Sequence, residues 1–275
     1  MSRFAKFAVP ILLLVASVAT AKRIAAPPNP IQRAMQSEVV VIGKVTSIEK
    51  EPVEIETGGQ KTAYKVAVVK VESALLGAAN TTHIKIGLAM PAGGRGRGPI
   101  VGLDENQEGL FFLTKDPSGK FHTFNGMSSP VSATDESYKA AVANVKRALA
   151  VIADPIESLR AEKAEDRAFA AIALALKHRS VPQSGGEIGL EKIPAEESKR
   201  ILKGLAEANW TKSDPSLPPP SSVFYLLGIT TVDGWEQPKP AAAGTDFNEV
   251  RHAAFVKWIE GAGKDYRINK YVVKK

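Results

Sequence analysis

Between residues 38 and 126 the apolar positions alternate or come in short runs; from residue 132 to 263 they recur at intervals of three and four. The first rhythm belongs to strands and the second to helices. "EVVVIGKVTSIEK" (38–50) puts Val40 and Ile42 on one face, then changes phase across Gly43 to Val45 and Ile48. A glycine at a phase change predicts a bulge in a bent strand. "EIETGGQKT" (54–62) carries a Gly-Gly turn. "AYKVAVVKVESALLG" (63–77) alternates Tyr64, Val66 and Val68, slips at Val69 and continues to Val71, with "ESALLG" expected as a short helical or turn element. "THIKIGLAM" (82–90) reads as a third strand. "EGLFFLTKD" (108–116) is apolar throughout Leu110–Leu113, which predicts a central strand covered on both faces. "GKFHTFNG" (119–126) is a fifth. Five strands, the first two long and bent, suit a small closed or nearly closed barrel.

The helical rhythm is clearest at Tyr138, Val142, Val145, Leu149 and Ile152, one stripe of a helix that Thr134 or Asp135 can cap and Pro155 stops. Residues 165–179 predict a second helix with Phe169, Ile172, Ala173 and Leu176 on its buried face. Residues 194–210 predict a third, opened by Pro194 with two acids behind it. "SDPSLPPP" (213–220) breaks the chain. "SSVFYLLG" (221–228) is a short helix capped by Ser221 or Ser222, "QPKPAAAG" (237–244) a link, and 247–263 the last helix, stopped by Gly261 and Gly263.

"VVVIGKVTSIE", "YKVAVVKVESALLG" and "EGLFFLT" together resemble the netrin-like, or tissue-inhibitor-of-metalloproteinases-like, barrel of the oligonucleotide/oligosaccharide-binding (OB) type. The resemblance implies an OB-like topology with ligand-facing loops. The family's inhibitors act through a mature N-terminal cysteine that chelates the protease zinc. This chain contains no cysteine, so that mechanism does not carry over. "DRAFAAIALAL" is similar to the second helix of HEAT-type repeats at Arg167, Ala170, Ala171 and Leu174. The expected fold class is therefore α+β in two domains: a five-stranded OB-like β-barrel over residues 38–130, then an all-α domain over residues 131–275.

Two segments precede the barrel. Arg3 and Lys6, the apolar run Phe7–Val18 and the small residues Ala19 and Ala21 form the pattern of a secretory leader over residues 1–21, cleaved after Ala21. This predicts a secreted or periplasmic protein that is not integral to the membrane. Residues 22–37 are expected to be a proline-rich linker, in which "AAPPNP" holds the backbone extended and permits no helix before Ile31. The whole chain carries a formal charge of +7, two of which leave with the leader. That residue is mildly basic and evenly spread, which favours contact with a protein or an anionic polymer over sequence-specific nucleic-acid binding. The absence of cysteine excludes disulfides, thiol chemistry and cysteine-ligated metals.

Candidate chemistry is sparse. His83, His122, His178 and His252 are too far apart in sequence to form a local metal motif, and no nucleophilic-serine motif is present. His122 lies between aromatic residues near a barrel mouth. Asp104 and Glu108 precede the apolar fourth strand. Arg95 and Arg97, in "PAGGRGRGPI" (91–100), sit in a glycine-rich loop with no helix behind it to complete a phosphate cradle, but two guanidinium groups at a barrel rim can hold an anionic group. These five residues are the candidate ligand-binding set. No catalytic residue, metal or cofactor is assigned. The pattern points to an exported, non-enzymatic binding or scaffold protein. The alternatives are a hydrolase with an acid or histidine site lacking a known motif, and a protease-inhibitor-like module.

Overall fold

The computed structural model describes residues 28–274, apart from 58, 91–101, 126–128, 184–185, 213, 215–216 and 240–243. The secretory-leader pattern and the glycine-arginine loop lie outside the described residues. The strand half forms β1 (Val39–Ile48), β2 (Val53–Thr57), β3 (Gln60–Leu76), β4 (His83–Ala89), β5 (Glu108–Lys115), β6 (His122–Phe124) and β7 (Val131–Ser132). β1 pairs with both β3 and β5, β3 with β4, β4 with β6 and β6 with β5, so five strands close a barrel. The β4–β6 pairing, at Ile86 opposite His122, is parallel and the others are antiparallel. β2 folds onto the start of β3 and β7 onto the start of β5.

The bulge expected at Gly43 is present: the β1–β3 register shifts between Ile42 and Gly43. A Cβ there would sit 2.5 Å from the Lys70 carbonyl oxygen, so only glycine lets the strands approach this closely. The short helical or turn element expected at "ESALLG" is not formed. β3 continues through it, with Ala74 opposite Val41 and Leu76 opposite Val40, and Gly77 ends the strand at φ +69°. β1 supplies the partner that a local reading of those six residues lacks.

The linker expected over 22–37 is also overturned in its described part. Asn29 caps a helix, α1 (Pro30–Gln36), by accepting a hydrogen bond from the Ile31 amide, and Pro30 occupies the first turn where its missing N–H costs nothing. Ile31, Ala34 and Met35 are buried. Arg33 is buried with them; its guanidinium lies 4.2 Å from the Phe112 ring centroid and donates to the Ser129 carbonyl at 2.5 Å. Burial pushes its pKa down to about 10.

The remaining helices are α2 (Tyr138–Ala153), α3 (Pro155–Ser158), α4 (Ala164–His178), α5 (Ala195–Glu207), α6 (Pro220–Leu227) and α7 (Phe247–Glu260). In α2 the fully buried line is Ala141, Val145, Ala148 and Val151, one position round from the expected stripe. Alanines bring this face closest to its neighbours, leaving Tyr138, Val142, Leu149 and Ile152 packed along the edge. Neither expected cap serves α2: Asp135 accepts from the Ser132 amide instead. α6 likewise begins at Pro220 with no serine cap. α4 was expected to bury one face, yet all residues from Ala168 to Leu176 are buried. A helix buried all round is the centre of a bundle. α5 crosses it at Gly204, where a Cβ would stand 2.7 Å from the Ala171 Cβ and 2.8 Å from the Arg167 carbonyl oxygen. A two-stranded sheet, β8 (Ile188–Lys192) with β9 (Asn269–Val273), joins distant parts of the chain and was not expected from the sequence.

β7 ends at Ser132 and α2 begins at Tyr138, but the core does not stop between them. Val39, Val41, Phe111 and Leu113 point into the barrel with Ile84 and Ile86. Their neighbours Val40, Leu110 and Phe112 point outward into one cluster with α1, α2, α4 and the tryptophans of the helical half. The molecule is α+β: a closed five-stranded barrel, one outer face of which is sealed by helices.

Candidate functional site

Of the described candidates, the fold sets His122 apart from Glu108. Asp104 is exposed in a loop, where its amide donates to Gln107 Oε1 at 3.1 Å. Glu108 opens β5 and accepts from Lys44 Nζ at 3.0 Å on the surface. His122 stands opposite Lys115 at the other end of β5, seven residues and about 23 Å along the strand from Glu108. Burial, opposed by a backbone hydrogen bond at Lys85, pushes the His122 pKa down. Arg95 and Arg97 fall outside the described residues. The other histidines have local partners: His178 Nε2 lies 2.8 Å from Glu197 Oε1, and His252 Nε2 2.7 Å from the Ala206 carbonyl, with its ring stacked on Trp210. Among the described residues no three His, Cys, Asp or Glu side chains are grouped to hold a metal.

A broad concavity lies in the helical half and involves none of those residues. It is an open groove of about 850 Å³ between α4, the end of α5, the segment leading to α6, and the first turn of α7. Its floor is apolar: Ala168, Phe169 and Ile172 from α4, with Trp210 and Leu217. Pro218, Pro219 and Pro220 form a stiff wall, held near φ −65° by their rings. Glu165, Glu207, Asn209, Lys212 and Asn248 stand at the rim.

Local chemistry explains how the groove is held open. Trp210 Nε1 donates to the Leu205 carbonyl at 2.9 Å, so the indole is pinned as α5 ends. Trp210 then packs against Phe224, Phe255 and His252. Asn209 Oδ1 accepts from the Thr211 amide, the Thr211 hydroxyl and the Lys212 amide at 3.0, 3.1 and 2.8 Å. An asparagine turn of this kind satisfies the amides just beyond the helix end and redirects the chain. On the α4 side, Arg147 stacks 3.8 Å from the Phe169 ring centroid and pairs with Asp166 at 2.5 Å, fixing the floor from behind. Such a trough suits apolar side chains on its floor and amide contacts at its rim.

Sequence reasoning missed this site because "ANWTKSDPSLPPP" reads as a helix end and a chain break. The signal it does contain is a tryptophan beside an asparagine turn, followed by three consecutive prolines. No helix among the described residues is long and apolar enough to cross a membrane. Compared with models of known protein families and with curated proteins, the chain matches none.

Proposed function

We propose that this chain is an exported, non-enzymatic binding or scaffold protein that takes an extended segment of a partner protein into the groove between α4 and α6. The observation that carries the reading is the make-up of the groove, an aromatic and aliphatic floor ringed by amides and charges. That is the arrangement of protein-recognition patches, where buried apolar anchors supply affinity and a polar rim fixes direction. Asn209 and Asn248 offer amides that match the backbone of an extended chain. The lining charges Glu165, Glu207 and Asp214 outnumber Lys212, which disfavours a polyanion here. The leader pattern of residues 1–21 supports export to the periplasm or medium. The closed strand order, with its single parallel pairing, supports reading the barrel as OB-like, a rigid base on which the helices are mounted.

A random peptide library displayed on phage tests the assignment. Peptides selected on the wild-type protein should lose binding by about tenfold or more on Ser222→Trp, which fills the groove from an exposed position. Peptides that bind Ser222→Trp as tightly as wild type, or a library that yields no enriched sequence, contradict it.

A further inference from the structure

We propose a second binding site, independent of the groove reading: a hollow on the far side of Glu207 that takes an oxyanion of the phosphate or sulfate class. The hollow, about 370 Å³, lies where the α3–α4 connection meets α5. Its charged lining is Arg160, Glu162, Arg167, Arg200, Lys203 and Glu207.

Arg167 is spent on structure. Its Nε donates to Glu207 Oε2 at 2.7 Å, and its Nη1 to the carbonyls of Ala161 at 2.9 Å and Glu162 at 2.6 Å. One guanidinium thus ties the connection to α5 and sets Arg160 facing that helix. The same contact neutralises Glu207, which Lys203 approaches only to 4.0 Å. The Arg160 and Arg200 guanidinium groups make no ion pair, hydrogen bond or ring contact with any described residue. The lining therefore holds two more cations than carboxylates. Two guanidinium groups left unpaired in one concave site repel each other, and a concave wall focuses their field. A tetrahedral dianion relieves that repulsion and matches the planar donor forks of both arginines. Gly204, also in the lining, keeps α5 close against α4 and so fixes the floor between the two charged walls.

The experiment is a titration of the full chain, labelled with nitrogen-15, with potassium phosphate at constant ionic strength set by potassium chloride. The readout is the Nε–Hε signals of Arg160 and Arg200. Both should shift saturably with phosphate and not with chloride alone. Arg160→Gln combined with Arg200→Gln should weaken binding by about tenfold or more, while Lys115→Gln on the barrel should leave it unchanged. Glycerol phosphate in a second arm separates the sources: equal affinity identifies a phosphoryl group carried on a larger molecule, and binding of inorganic phosphate alone identifies the free ion. If the double variant does not fold, the wild-type arginine shifts still decide. No saturable shift at either arginine, or undiminished binding by a folded double variant, overturns the proposal.

Discussion

The interior of the barrel and the seam between barrel and helices are both packed mainly with apolar side chains, yet they use opposite faces of β1 and β5. Phe111 and Phe112 are neighbours in β5, and both are almost wholly buried. Phe111 faces the interior beside Val41 and Ile86, and its ring stacks with Phe124. Phe112 faces the helices and carries the buried guanidinium of Arg33 on its ring. The interior is closed by the strand ladder alone. The seam exists only because α1 and α2 lie across β1 and β5. β4 shows the contrast from the other side: Ile84 and Ile86 are buried while His83 and Lys85 on its outer face are exposed. A continuous apolar run therefore marks strands covered twice, and alternation marks strands covered once.

If interior and seam belong to one cooperative structure, damage to either spreads to both. The largest effect is expected from Phe112→Ala, about 4 kcal/mol as for a large-to-small change in a packed core, measured by urea unfolding. A loss below about 1 kcal/mol would make the seam a loose contact. Ile31→Ala removes an apolar anchor of α1 and should cost about 3 kcal/mol. An unchanged urea midpoint would return this segment to the status of a linker. Gly204→Ala acts on the helical side alone, forcing a methyl group against Ala171 and the Arg167 carbonyl, and should cost about 2 kcal/mol by overpacking. Calorimetry showing no loss would mean that α5 can slide.

The smallest effect lies inside the helical core. Tyr266 donates its hydroxyl to the Leu227 carbonyl at 3.0 Å, packs against Trp258, and has its pKa pushed up to about 12, chiefly by burial. Tyr266→Phe should cost about 1 kcal/mol near pH 8. The folded state holds the neutral phenol more firmly than the unfolded chain, whose tyrosine ionises near pH 10. Its contribution is therefore complete below pH 10 and fades as the pH rises towards about 12. Urea melts at pH 9 and pH 11 should show the gap between wild type and Tyr266→Phe narrowing. A constant gap would contradict the assigned environment.

What the sequence reveals follows from how local each determinant is. The Gly43 bulge, the doubly covered β5 and the helices α4, α5 and α7 are written in a few adjacent residues. α1 was legible at Asn29 and Pro30, but the surrounding prolines suggest an extended chain and the helix depends on packing against α2 and α4. β8 and β9 pair Ile188 with Val273, and nothing in "GEIGLEK" announces so remote a partner. The end of β3 was hidden for the same reason, since β1 makes "ESALLG" a strand. The groove is harder still. Phe169, Trp210 and Pro219 are ordinary core and loop residues, and only the crossing of α4 with the chain leaving α5 turns them into a site. The described sequence candidates show the opposite relation between sequence and space. Glu108 and His122 each lie near a strand end, but at opposite ends of the β5 ladder.

The most direct test of a shared core uses the fact that Trp210, Trp235 and Trp258 all lie in the helical half, while Phe111 lies inside the barrel. Urea unfolding of wild type and Phe111→Ala should be followed by tryptophan fluorescence and by far-ultraviolet circular dichroism. One cooperative structure predicts that Phe111→Ala lowers the fluorescence midpoint and that the two signals stay coincident. A fluorescence midpoint unmoved by Phe111→Ala, with the dichroism splitting into two transitions, would show that barrel and helices unfold separately and that the seam is only a contact between them.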